Sequence, residues 1–356
     1  MGCFYLSALY RQRMDVPVIS YNMSVFSAMG DKVTKYASEY SFLQRAEVVD
    51  ELKTTNFFQN ALIHLGSTAK RINAKVIGIQ EFHPPTRDMI MKTLNNSNPN
   101  YAYHEFSKVI KNKAAVLTIW DTTVLGEKES AHDEDLGLTK GVDGLLPNDE
   151  GRPISIIKTK KDFTLINFHG INRPKYDKDG NETFLDNSTI LKALIAKHCE
   201  IAGVSDPNKI IIMCDSNDRE HGINRANPLI INGAGFHDGH YPRNGAKSCC
   251  YNWDSCGIPI SRGKATMGPA GAEENYAYTG DYVLGANFKT PVTAEVSNLD
   301  DQGASMESDH KLVYAILSIK PRVIINNENG QFSHFGGRRT KKAKKTKKSK
   351  KTRRAH

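Results

Sequence analysis

A polar residue closes or opens one apolar run after another along this chain. Asn22 ends ISYN, Glu81 ends VIGIQE, and His169 ends LINFH. Asp215 and Asn217 follow IIIMC, Asp281 opens DYVLG, and Ser308-Asp309-His310 precede KLVYAILSI. Carboxylate and amide oxygens are hard donors of the kind Mg²⁺ accepts. Carboxylates and imidazoles can also take or give a proton. A lone Glu after a strand is usually a cap or simply solvated, and Asp-x-Asn is a common turn. Six such signals in succession instead describe a scaffold that projects polar side chains from strand ends into one cleft.

The elements that would position them alternate. Strands are expected over 17–23, 75–80, 101–106, 114–120, 154–158, 163–169, 209–214, 281–284, 292–296 and 311–319, from short apolar, β-branched-rich runs. Apolar spacing near 3.6 predicts one or two helices over 42–72, and further helices over 86–94 and 185–201. Residues 127–152 hold eight acids and four glycines and read as a long acidic loop. A second loop over 241–278 is rich in glycine and aromatics. No apolar run approaches the roughly 18–20 residues needed to span a bilayer.

In that order the motifs resemble the endonuclease/exonuclease/phosphatase superfamily, also called deoxyribonuclease I-like, over residues 18–319. The family pattern of a strand-end Asn, a strand-end Glu, a His or Tyr, Asp-x-Asn, an Asp before an apolar strand and Ser-Asp-His is filled by Asn22, Glu81, His169, Asp215-Ser216-Asn217, Asp281 and Ser308-Asp309-His310. The resemblance implies a four-layer α/β sandwich of two mainly antiparallel sheets flanked by helices. It implies catalytic roles for His169, Asp215, Asn217, Asp281 and His310, and a Mg²⁺ site (Mn²⁺ the alternative) formed by Asn22, Glu81 and Asp309. Physical chemistry agrees with these roles. Phosphate-ester hydrolysis needs charge neutralised on the phosphate oxygens and an oriented water. Asp215 would take the water's proton, the Asn217 amide would meet the developing oxyanion, and Asp281 would orient His310. Asn172, Arg173 and Trp253 are candidates for substrate contact. The chain departs from the family where Cys214 replaces a Gly and where KSCCYNWDSCG precedes Asp281, differences that bear on substrate choice. The implied activity is a nuclease acting on DNA or RNA, with a phospholipid or inositol-phosphate phosphoesterase as the alternative.

Charge is unevenly distributed. The net charge is +9, yet residues 338–354 carry 12 of the 48 Lys and Arg and no acid, leaving 36 basic against 39 acidic residues, a net of −3. The triplet repeat of that tail has no apolar residue beyond Ala, is expected to be disordered, and suits a polyanion, nucleic acid first, bound through its phosphates. The expected organisation is an extension over 1–15, a catalytic domain over 16–322, a linker over 323–337 and the tail over 338–356, in a monomeric, intracellular, nuclear or nucleic-acid-associated protein. Six cysteines are too few for a disulfide-built scaffold. Cys199 and Cys214 read as small buried hydrophobes, and Cys249, Cys250 and Cys256 as reduced loop thiols.

Overall fold

The computed structural model describes residues 13–23, 56–108, 115–139, 151–171, 187–217, 223–241, 246, 248, 279–298, 307, 308 and 310–319. All lie in the compact unit Met1–Lys320. The 42–55 part of the first expected helix, most of the 241–278 loop, and Asn172, Arg173, Trp253, Asp309 and the basic tail lie outside the described residues.

In chain order the elements are β1 (Met14–Asn22), α1 (Asn56–Ile72), β2 (Val76–Phe82), α2 (Arg87–Asn95), β3 (Tyr101–Glu105), β4 (Ala115–Asp121), the single turn α3 (Thr122–Leu125) and β5 (Lys128–Asp135). After them come β6 (Pro153–Thr159), β7 (Thr164–His169), α4 (Asn187–Ile201), β8 (Ile210–Asp215), β9 (Leu229–Ile231), β10 (Ala234–Phe236), β11 (Asp281–Leu284), β12 (Phe288–Glu295) and β13 (Leu312–Ile319). One sheet has the order β12-β13-β1-β2-β4-β3 and the other β11-β8-β7-β6-β5, with β9 and β10 forming a small hairpin. Among the described residues only β1–β2 and β7–β8 pair in parallel, and every other pairing is antiparallel.

Side-chain alternation builds the layers. On β1, Val16 and Val18 enter the cluster between the sheets, while Ile19 and Tyr21 face the other way, onto Phe58, Ala61, Leu62 and Leu65 of α1. On β8, Ile211 and Met213 face the inter-sheet cluster, and Ile210, Ile212 and Cys214 face Leu191, Leu194 and Ile195 of α4. The result is helix, sheet, sheet, helix, the expected four-layer sandwich. Strands buried on both faces read as continuous apolar runs, which is why their polar ends stand out in the sequence. Truncating a core residue such as Ile211 to Ala would cost about 2–5 kcal/mol.

Two polar features fix the sheets against each other. Gln80 donates to Asn167 Oδ1 at 2.7 Å, and Asn167 Nδ2 donates to the Ile79 and Leu117 carbonyls at 3.3 and 3.0 Å. Beside them the sheets approach closely: a Cβ on Gly78 would lie 2.6 Å from Met213 Cβ.

The acidic stretch corrects one expectation. Lys128–Asp135 is not loop but edge strand β5, paired with β6. Asp133 is buried because donors surround it: Ser107 N at 2.8 Å, Ser155 Oγ at 2.6 Å and His104 Nε2 at 3.1 Å. Asp135 accepts from the backbone N–H of Gly137, Gly151 and Arg152 at 2.8, 2.8 and 3.0 Å. Cys199 and Cys214 are buried free thiols, as expected.

Candidate active site

The two parallel pairs carry the site at their C-terminal ends. Pairing of β1 with β2 sets Asn22 opposite Gln80, next to Glu81. Pairing of β7 with β8 sets His169 opposite Asp215, and antiparallel β11 brings Asp281 opposite the same Asp215. Ser308 Oγ donates to the Asn22 carbonyl at 2.8 Å and accepts from the His310 N–H at 3.1 Å. This bond brings the segment before β13 to the end of β1.

Local backbone geometry departs from the regular strand at two of these residues. The β2–β4 register shifts between Ile79 and Phe82, and Glu81 has φ of 49°. A bulge of this kind re-aims a side chain, and here it turns the carboxylate toward Asn22. Asn217 has φ of 53°; its backbone N–H donates to Asp215 Oδ1 at 3.0 Å, which holds that carboxylate from its own turn. Gly170 is required by close approach: a Cβ there would lie 2.0 Å from the Ser216 carbonyl oxygen.

Asp215 Oδ2 is the centre of the constellation. Asn22 Nδ2 donates to it at 2.8 Å, His169 Nε2 stands 3.5 Å away and His310 Nε2 3.8 Å away. Asn22 Nδ2 also lies 3.3 Å from Glu81 Oε1 and 3.3 Å from His310 Nε2. Asp281 Oδ2 contacts His310 Nδ1 at 2.9 Å. That contact places a proton on Nδ1 and leaves Nε2 facing the site. Burial pushes the Asp215 carboxyl up to about 7, helped by the nearby Asp281 charge and opposed by His310 and by hydrogen bonds from Asn217 and Asn22. A carboxylate with its pKa near neutrality is suited to accept a proton there.

Sequence reasoning passed over Arg152. This buried side chain places Nη1 2.7 Å from His169 Nε2. A guanidinium only donates, so in this contact the imidazole nitrogen is the acceptor. Arg152 thus brings a positive charge to the rim of the constellation. The signal available was a basic residue closing an acidic stretch directly before a strand. Asn217 Nδ2 uses one of its two N–H groups to donate to the Gly170 carbonyl at 2.9 Å. It joins the ends of β7 and β8.

The donor set fits a hard divalent cation. Ligand atoms of Glu81, His169 and Asp215 lie within 4.8 Å of one another, as do those of Asp215, Asp281 and His310. Glu81 is the partly open member, its side chain 22% exposed, while those of Asp215 and Asp281 are buried. One accessible carboxylate beside an amide and a second acid leaves one side of the donor set open to solvent.

Solved structures share this architecture. An endonuclease/exonuclease/phosphatase family protein from Bacteroides thetaiotaomicron superposes with a TM-score of 0.50 at 16% identity, covering 86% of this chain and 99% of that one. TDP2 from C. elegans gives 0.48 at 12% identity, over 86% and 75% of the two chains. The B. thetaiotaomicron mannosyl-6-phosphatase gives 0.47 at 15% identity, over 85% and 99%. Neither a protein-family model nor a curated protein matches the sequence. The first of these matches gives the chain the fold of the endonuclease/exonuclease/phosphatase, or deoxyribonuclease I-like, proteins.

Proposed function

We propose that this protein is a Mg²⁺-dependent phosphodiesterase that hydrolyses nucleic acid. The observation that carries the reading is the convergence of Asn22, His169 and the Asp281–His310 pair on one buried carboxylate, Asp215, with Glu81 half-open beside them. Glu81 and Asn22 would hold the metal, with Asp309 as the third candidate, and the cation would neutralise charge on the phosphate oxygens. Asp215 takes a proton from the attacking water as its oxygen bonds to phosphorus and the ester P–O bond breaks. His310, oriented by Asp281, and His169, backed by Arg152, face the phosphate oxygens. Mn²⁺ would serve the same donor set.

Nucleic acid is favoured as substrate by the tail, whose 12 basic residues turn a chain of otherwise −3 into one of +9. Each phosphate neutralised contributes about −0.9 to the slope of log affinity against log salt on duplex DNA. Deleting 338–356 should flatten that slope on long duplex and leave turnover of a short oligonucleotide nearly unchanged. Equal slopes for both proteins would remove the tail from binding and leave nuclear localisation as its role. The substrate class is tested by incubating the full chain and Mg²⁺ with plasmid, abasic duplex, single-stranded DNA, RNA, sphingomyelin and inositol phosphates. Cleavage confined to the last two would replace this reading with a phospholipid or inositol-phosphate phosphoesterase.

A further inference from the structure

A second buried acid lies behind the site and takes no part in the chemistry above. Glu307 is 2% exposed and immediately precedes Ser308. Its Oε2 is 2.6 Å from His64 Nδ1 on α1 and accepts from the Tyr21 hydroxyl at 3.3 Å. Its Oε1 accepts from the Ser297 hydroxyl, the Ser297 N–H at 2.8 Å and the Asn298 N–H at 3.0 Å. His64 is itself held from behind, its Nε2 3.4 Å from Glu295, which also accepts from Thr68 Oγ1 at 3.0 Å and pairs with Arg71. His64, Thr68 and Arg71 follow helical spacing along one face of α1.

The consequence lies in what the neighbours of these residues do. Tyr21 adjoins Asn22, and Glu307 adjoins Ser308. The two strand ends are therefore joined twice, by Tyr21 to Glu307 and by Ser308 Oγ to the Asn22 carbonyl. Ser308 Oγ in turn receives the His310 N–H. Burying a carboxylate carries a large desolvation cost before its partners offset it, and an apolar side chain would fill a core position without that cost. What the carboxylate adds is direction: it gathers donors from α1, β1 and the turn after β12 onto the residue that leads into His310.

We infer that Glu307, clasped by His64 and Tyr21, is a positioning residue that sets where Asn22 and His310 stand relative to Asp215. The inference rests on the proposed hydrolytic role of that site.

The test uses the full chain with Mg²⁺ and bis(4-nitrophenyl) phosphate, recording kcat, KM and thermal midpoint, together with hydrogen exchange of peptides covering 14–23 and 307–312. Glu307→Ala should lower kcat about 30-fold, within the 10–100-fold range typical of groups that orient a metal's ligands, here Asn22. KM should stay within a factor of about three, since substrate contacts are untouched, and both peptides should exchange faster. Glu307→Gln should recover most of the rate and the slow exchange. Its carbonyl still accepts from Ser297 and Asn298, while its amide can donate to Tyr21 and to a neutral His64. Asp133→Asn removes another buried, multiply bonded carboxylate, two strands from His169, and should lower the thermal midpoint without changing kcat. Wild-type kcat in folded Glu307→Ala, unchanged exchange of the two peptides, or Glu307→Gln as impaired as the alanine variant would each overturn the inference. Asp215→Asn separates the two levels: if that variant keeps its activity, the hydrolytic reading itself fails. If it is inactive while Glu307→Ala is normal, only the positioning role falls. In a protein inactive on this diester, exchange still decides the clasp.

Discussion

The two sheets contribute to the site in different ways. The six-stranded sheet supplies Asn22, Glu81 and His310, held from behind by Glu307, and its carboxylate is partly open. The five-stranded sheet supplies His169, Asp215 and Asp281, all buried, with Arg152 packed on one imidazole and a glycine contact too tight for any side chain. One half presents an accessible acid where a cation and solvent can reach it. The other fixes a desolvated acid at short range. Splitting these tasks between sheets lets two carboxylates with opposite needs for solvent sit in one cleft.

The strongest way to break this division is at the open acid. Glu81→Gln should cut Mg²⁺-dependent turnover by several orders of magnitude and leave the thermal midpoint near wild type, because its side chain is not part of the core. Near-normal turnover of the purified variant would show that the cation is held elsewhere.

On the closed side, Gly170→Ala should damage both stability and rate. Its Cβ meets the Ser216 backbone, which cannot move without shifting Asp215 and Asn217. Overpacking of this kind costs about 1–3 kcal/mol. Thermal melts and kcat measured together check it. A stable, fully active alanine variant would mean that the β7 and β8 ends have slack.

Acid should also act on stability through buried imidazoles. His83 and His198 are buried and their pKa values are pushed down to about 4, by burial in both cases and, for His198, by His132 as well. The unfolded chain then binds more protons between pH 6.5 and 4, so stability present above 6.5 falls as pH drops through that window. Asp133 is held down at about 2 by hydrogen bonds from His104, Ser107 and Ser155, which outweigh its burial. Its contribution, about 2 kcal/mol, is present above the ordinary carboxylate range and is lost between pH 4 and 2. Denaturant midpoints against pH should show both steps, and Asp133→Asn should remove only the lower one.

A smaller effect is expected at His83, where neither ring nitrogen has a hydrogen-bond partner among the described residues. Replacing an unsatisfied buried donor and acceptor with an apolar group is neutral or stabilising. His83→Leu should therefore raise the thermal midpoint slightly and flatten the pH 6.5 to 4 slope. A marked loss of stability would show that the ring is anchored in the folded protein.

Much of this was legible in the sequence because strands covered on both faces are mostly apolar until they end. KIIIMC runs unbroken into Asp215, and VIGIQ into Glu81. Burial hides other features. Asp133 and Asp135 belong to the acidic stretch expected as a loop, in the part that forms β5, and hydroxyl and backbone donors that bury them come from residues distant in sequence. Arg152 and Glu307 are single charged residues without periodicity, and their roles come from partners 17 and 243 positions away. The β9–β10 hairpin did carry a signal, Asn232-Gly233, whose positive φ angles of 50° and 77° suit a two-residue turn. The left-handed backbone at Glu81 had none, since Glu is not a residue that favours it.

The central claim is that groups from the two sheets act as one catalytic unit around Asp215. A double-mutant cycle across the sheets tests it most directly, with Asp215→Asn from one, His310→Ala from the other, and the combination, all measured as kcat on one phosphodiester with saturating Mg²⁺. Residues that share a step are strongly non-additive. The account predicts that each single variant is severely impaired and that the double variant is little worse than the poorer single. Losses that multiply in full would contradict it, because Asp215 and His310 would then be acting in separate steps.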